Sequence, residues 1–184
     1  MKSNSKLAVF ISGRGSNYLA VKNAIESGKI DAEISIVISN CMAEGLQFAD
    51  KKLVSNNFDE ILSVLKSEEI DYILLLGYLK ILPKKIIEAY PNRIINIHPS
   101  LIPSFCGKGM HGKRVHQAVL DRGCKVTGVT THFVNEEADA GPIILQESVK
   151  VEEDDTAQSL AERVLKVEHR LIVETVQKVL EETK

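Results

Sequence analysis

Ile94-Ile95-Asn96-Ile97-His98-Pro99-Ser100 reads as a buried strand that stops abruptly. Alternate side chains of a strand point the same way, so Asn96 and His98 share one face while Ile95 and Ile97 take the other. Pro99 has no N–H to give a sheet ladder, so the strand ends beside the histidine. An amide and an imidazole are thereby left at the carboxyl end of a strand, the edge at which open α/β sheets bind ligands. Together they suit chemistry in which negative charge builds on a carbonyl oxygen. The candidate partner is Asp139, in the acidic, glycine-flanked loop Asn135-Glu136-Glu137-Ala138-Asp139-Ala140-Gly141. Most such loop carboxylates are merely solvated, so the interest of Asp139 rests on its meeting His98 in space.

Outward from this strand, apolar runs alternate with helical patterns, the mark of βαβ units around a mostly parallel sheet. Leu7–Ile11, Ile34–Ile38, a weak piece at Leu53-Val54 and Tyr72–Leu76 read as the earlier strands. Helices are expected from about Asn17 to Ser27, where Gly28 ends the element, and over Phe58, Ile61, Leu62 and Leu65. Further helices are expected from Pro83 towards Tyr90 and from Lys113 to Arg122. Lys125–Phe133 and Ile143–Val151 follow each other without a helix between them, which predicts an antiparallel pair. The final helix starts near Thr156, with Asp155 as cap and Gln158 completing a capping box. Its apolar stripe is Leu160, Val164, Leu165, Leu171, Ile172, Val176 and Val179. One α/β domain over residues 1–184 is the expectation, with helices on both sheet faces.

Composition narrows the function. The chain has 184 residues, 44% of them hydrophobic and 26% charged, as in ordinary soluble proteins. A formal net charge of −2 argues against a nucleic-acid surface. Cys41, Cys106 and Cys124 lack paired spacing and read as reduced thiols, and no signal peptide or membrane-length apolar run is evident. A cytoplasmic protein is expected.

Ser12-Gly13-Arg14-Gly15-Ser16-Asn17 joins the first strand to the first helix, and its amides and short polar side chains suit a phosphate. It fails as a dinucleotide fingerprint, because Tyr18 stands at the third glycine and Ser39-Asn40 offers no acidic residue for a ribose. Gly107 to Lys113 has Walker A spacing, yet Arg114 replaces the magnesium-binding hydroxyl and no strand precedes it, so it reads as a basic substrate loop. Glu168 falls inside the apolar stripe of the last helix, where a carboxylate needs a partner or a wet site. His132 reads as a satisfied core histidine. His111 and His116 share no helical face, and no metal site is expected.

These pieces together resemble the phosphoribosylglycinamide formyltransferase family. The strongest parts are Asn96 through Pro103, His132-Phe133-Val134 and Asp139-Ala140-Gly141-Pro142-Ile143-Ile144. The resemblance implies a Rossmann-like formyltransferase domain. It also implies formyl transfer from 10-formyltetrahydrofolate to the amine of 5-phosphoribosylglycinamide, in purine biosynthesis, without a metal. It makes Asn96, His98 and Asp139 the catalytic group, with Asn96 and His98 stabilising the oxyanion and Asp139 raising the His98 pKa. Gly15, Ser16, Asn17 and Glu168 match the positions that hold the glycinamide ribonucleotide. Leu79, Lys80, Ile81, Leu82, Asn96 and Asn135 to Asp139 match the folate walls. Partners are then small molecules, with no nucleic acid or membrane, for a monomer or homodimer. The chain departs from some relatives at Ser55-Asn56-Asn57, where no arginine is offered to the folate tail, and its 107–113 loop looks longer.

Formyltetrahydrofolate deformylase is the nearest rival; it shares this core but gives the formyl group to water and carries an added N-terminal domain. Methionyl-tRNA formyltransferase needs a further C-terminal domain and an RNA surface. A silent folate- or phosphate-binding module is the rival from another class, and it has no use for an oxyanion donor set.

Overall fold

The computed structural model describes residues 4–183. In chain order the elements are β1 (Ser5–Ile11), α1 (Ser16–Glu26), β2 (Ala32–Ser39), a 3-10 helix (Glu44–Phe48), β3 (Lys52–Val54), α2 (Phe58–Ser67) and β4 (Tyr72–Leu75). They continue as α3 (Lys84–Ala89), β5 (Ile94–His98), α4 (Lys113–Asp121), β6 (Val126–Phe133), β7 (Ile143–Lys150) and α5 (Ala157–Glu182). One seven-stranded sheet runs in the order β3-β2-β1-β4-β5-β6-β7. The strands from β3 to β5 pair in parallel, and β6 runs antiparallel to both β5 and β7. The expected mostly parallel α/β sheet with an antiparallel C-terminal pair is what the chain forms.

Burial on both faces explains the unbroken apolar runs of β1 and β4. Leu7, Val9 and Ile11 pack with Tyr18 and Val21 of α1 and with Leu160, Val164 and Ile172 of α5. Ala8 and Phe10 face the opposite layer, with Ile61 and Leu65 of α2 and Ile86 of α3. The order of strands reverses between β1 and β4, and beside the carboxyl ends of the strands at such a switch point open α/β sheets bind their ligands.

Two local features differ from expectation. The cap of α5 is Thr156, whose hydroxyl accepts from Ser159 N–H while Ser159 Oγ accepts from Thr156 N–H. Asp155 and Gln158 do not form the capping box, because Arg163, the Glu152 N–H and the Ser159 hydroxyl claim the Asp155 carboxylate. The 3-10 helix was not foreseen. It buttresses the turn after β1: Gly45 N–H donates to Gly13 O at 3.0 Å, and a Cβ on Gly45 would lie 2.9 Å from Arg14 O.

Gly141 ends the loop that carries Asp139, and a Cβ there would lie 1.8 Å from Phe133 O. Gly141→Ala therefore pushes the loop off β6. The expected cost is about 1–3 kcal/mol in a urea titration, with a loss of activity larger than that cost implies.

Candidate active site

The carboxyl ends of parallel β1, β4 and β5 share one edge, where three separate segments deliver polar side chains. From β5, Asn96 and His98 point the same way; opposite them on antiparallel β6 stand His132 and Thr130 respectively. Asp139 enters from the β6–β7 connection with φ at 55°, a left-handed conformation that aspartate tolerates better than most residues.

Asn96 Nδ2 donates to Asp139 Oδ1 at 3.3 Å and meets His132 Nε2 at 3.1 Å. His132 Nδ1 lies 2.9 Å from Phe133 O, and since a carbonyl only accepts, Nδ1 carries the hydrogen and Nε2 accepts from the Asn96 amide. Asp139 also faces His132 Nε2 at 3.6 Å and His98 Nδ1 at 3.8 Å. The other nitrogen of His98, Nε2, donates to Phe105 O at 2.9 Å, and Gly107 N–H donates to Asp139 Oδ2 at 2.8 Å. The segment after Pro99 thus folds over the group, leaving His98 only 4% exposed. Burial pushes the Asp139 carboxyl up, but His132, the Gly107 N–H and His98 outweigh it and hold the group below the usual carboxylate range. Asp139 is therefore ionised at neutral pH.

A second group lies where α1 leaves the turn after β1. Gly15 precedes the helix at φ 74°, and no side chain caps the first helical N–H groups. Ser12 ties the segments after β1, β2 and β4 together: its hydroxyl donates to Asn40 Oδ1 at 2.5 Å and accepts from Leu79 N–H at 2.9 Å. Glu168 reaches across from α5, and Asn17 Nδ2 donates to its Oε2 at 2.7 Å. Asn17 Oδ1 is buried without a hydrogen-bond partner. A buried acceptor left open beside an uncapped helix start is what a hydroxyl- or amine-bearing phosphate ester would complete. The polar residue that interrupted the α5 stripe therefore faces a polar site.

Burial pushes Glu168 up to about 7, against the pull of the Asn17 hydrogen bond. Its raised value carries a sign for stability. Below the ordinary value of 4.5 the group is protonated whether folded or not, so its contribution is fully present there. As pH rises through about 7 that contribution is lost. Glu168→Gln should remove this decline, gaining on the order of 2 kcal/mol over wild type at pH 8 and little at pH 5, as read by thermal melts at both.

The third group forms the outer wall. Leu79 and Ile81, just past β4, are 59% and 71% exposed, an apolar surface that water alone does not explain, and Lys80 stands between them in the open. Leu82 is buried against the α2–α3 layer and supports this wall from behind. Opposite, Asn135 to Ala138 are exposed, and Glu136 pairs with Lys84 at 3.0 Å. The Ser55–Asn57 stretch is occupied with its own contacts: Ser55 Oγ with Glu60, Asn56 with Asn40 O, and Asn57 capping α2.

The structure brings Asn96, His98 and Asp139 into one cluster. His132, read from the sequence as a satisfied core histidine, is satisfied and is also a member of that cluster. Phe105 and Gly107 act through backbone atoms, which leave no residue-type signature. His116 on α4 is also buried, and burial and the nearby His98 hold it below the usual imidazole range. Among the described residues no group of three or more His, Cys, Asp or Glu could hold a metal ion, and no helix is long and apolar enough to cross a membrane.

A family model described as formyl transferase matches residues 5–176. The chloroplastic phosphoribosylglycinamide formyltransferase of Arabidopsis thaliana is 40% identical over 96% of this chain. The chain spans at most 66% of the length of the plant relatives it matches. A crystal structure of phosphoribosylglycinamide formyltransferase from Bacillus halodurans superposes with a TM-score of 0.89 at 32% identity, covering 98% of this chain and 97% of that one. A formyltetrahydrofolate deformylase from Pseudomonas syringae superposes at 0.86 with 27% identity, over 98% of this chain and 63% of that one. With the fold and nearly the whole sequence in agreement, the chain belongs to the formyl transferase family.

Proposed function

We propose that this protein transfers the formyl group of 10-formyltetrahydrofolate to the amine of 5-phosphoribosylglycinamide, a step of purine biosynthesis. The observation that carries the reading is the convergence of Asn96, His98 and Asp139 at the sheet edge. It is supported by the open Asn17 acceptor beside Glu168 and by the exposed apolar pair Leu79 and Ile81.

The phosphate rests on the Gly15-Ser16-Asn17 turn, and Glu168 with Asn17 receives the hydroxyl or amine donors of the same molecule. The flat ring of the folate lies between Leu79-Lys80-Ile81, backed by Leu82, and the Asn135–Asp139 loop. Attack by the amine on the formyl carbon places negative charge on the formyl oxygen. Both Asn96 N–H groups are occupied in the free protein, one by His132 and one by Asp139. The oxyanion competes for one of them, which places its charge against a donor already oriented by two partners. His98 supplies the second donor once its Nε2–H leaves the Phe105 carbonyl. Asp139, ionised and facing Nδ1, compensates the imidazolium. The tetrahedral carbon then collapses with cleavage of its bond to the folate nitrogen, which leaves carrying the proton lost by the amine, passed through His98 or water.

The deformylase reading has the Pseudomonas syringae likeness in its favour. A spectroscopic assay of folate product with and without 5-phosphoribosylglycinamide separates the two. Transfer predicts product only with the acceptor. Equal rates without it would establish the hydrolase, and no product in either case would leave a binding module.

A further inference from the structure

We propose that Thr130 is a positioning residue for His98, acting through the backbone segment it anchors. Thr130 lies directly opposite His98 in the β5–β6 register and is fully buried. A hydroxyl has one hydrogen and two lone pairs, and here all three are used. Thr130 Oγ1 donates to Ser100 O at 2.7 Å and accepts from Ile102 N–H at 3.1 Å and from Gln146 Nε2 at 2.9 Å. Gln146, on β7, spends its other amide hydrogen on Ile102 O at 3.0 Å. One side chain on β6 and one on β7 thereby clamp the chain just after Pro99. The clamped stretch continues through a turn closed by Ser104 N–H on Leu101 O and by Ser100 Oγ on Ser104 O. It then presents Phe105 O to His98 and Gly107 N–H to Asp139.

The chemical consequence lies in the tautomer. Phe105 O can only accept, so it keeps a hydrogen on His98 Nε2 and leaves Nδ1 turned to Asp139. Valine at position 130 keeps the shape but leaves Ser100 O and Ile102 N–H without their buried partner, and the segment must move to satisfy them. The Nε2 hydrogen then loses its acceptor, and the neutral ring is free to carry its hydrogen on Nδ1 instead. This inference rests on the reading of His98 as a donor to the reacting oxygen, but its structural half can be read without turnover.

The test compares Thr130→Val, Thr130→Ser and Gln146→Leu with wild type. The readouts are steady-state kinetics and the imidazole 15N signals of His98, assigned by their disappearance in His98→Ala. Thr130→Val should lower kcat by about 10–100-fold with both KM values within about threefold, since the second layer orients rather than binds. Its His98 signals should move from the Nε2–H form towards a mixture. Thr130→Ser should keep the wild-type signals and most of the rate. Gln146→Leu, altered at an exposed side chain, should show the same spectral change to a smaller extent, and decides the matter if the valine variant does not fold. Unchanged His98 signals in Thr130→Val and Gln146→Leu, or a serine variant as impaired as the valine one, would overturn the proposal. A wild-type protein without transferase activity would sink the functional reading alone, because the spectra still report the clamp.

Discussion

Asp139→Asn should lower formyl transfer by on the order of 10³-fold while the protein stays folded. Both carboxylate oxygens of Asp139 accept hydrogen bonds, one from Asn96 and the other from Gly107 N–H. Asparagine has a single acceptor oxygen, so its own N–H must face one of those donors. The charge that both imidazoles face is lost as well. The cluster then has donors pointing at donors and nothing to balance a positive His98. Stability should change far less than the rate. Because the native Asp139 is held below the usual carboxylate range, its contribution to stability is present near neutral pH and fades as pH falls through that depressed value. The difference in melting temperature between wild type and Asp139→Asn should therefore shrink in acid.

His98→Ala is the second large effect, with an expected loss of about 10²–10³-fold in kcat. Alanine removes a donor and also frees Phe105 O, so part of the cost comes from a segment that no longer seats. The ribonucleotide site proposed above, at Asn17 and Glu168, lies on α1 and α5 rather than on β5. Calorimetric affinity of His98→Ala for 5-phosphoribosylglycinamide should stay within about threefold of wild type, since the Gly15–Asn17 turn and Glu168 are left intact. A matching loss of affinity would move His98 from chemistry to binding.

The strands and the pairing of Asn96 with His98 were legible because period-two alternation and a terminating proline are local facts. The sheet edge followed from them. Glu168 announced itself as a charge within an apolar stripe, although its partner Asn17 lies 151 positions away and no spacing could have joined them. Asp139 was only a candidate in the sequence, since a carboxylate in an acidic loop has no pattern of its own, and the family resemblance is what gave it a role. The clamp on the segment after Pro99 was invisible for a different reason. Thr130 and Gln146 look like ordinary strand residues, and their role lies in which backbone atoms fold back onto them. The capping of α5 failed for a similar reason, because Arg163, further along the same helix, claims the Asp155 carboxylate.

The central claim is that Asn96, His98 and Asp139 act as one unit on the formyl carbon. Single-turnover transfer by His98→Ala, Asp139→Asn and the double variant tests it most directly. Residues that work as a unit give a double variant about as slow as the worse single one. Losses that multiply, or either single variant turning over near the wild-type rate, would contradict it.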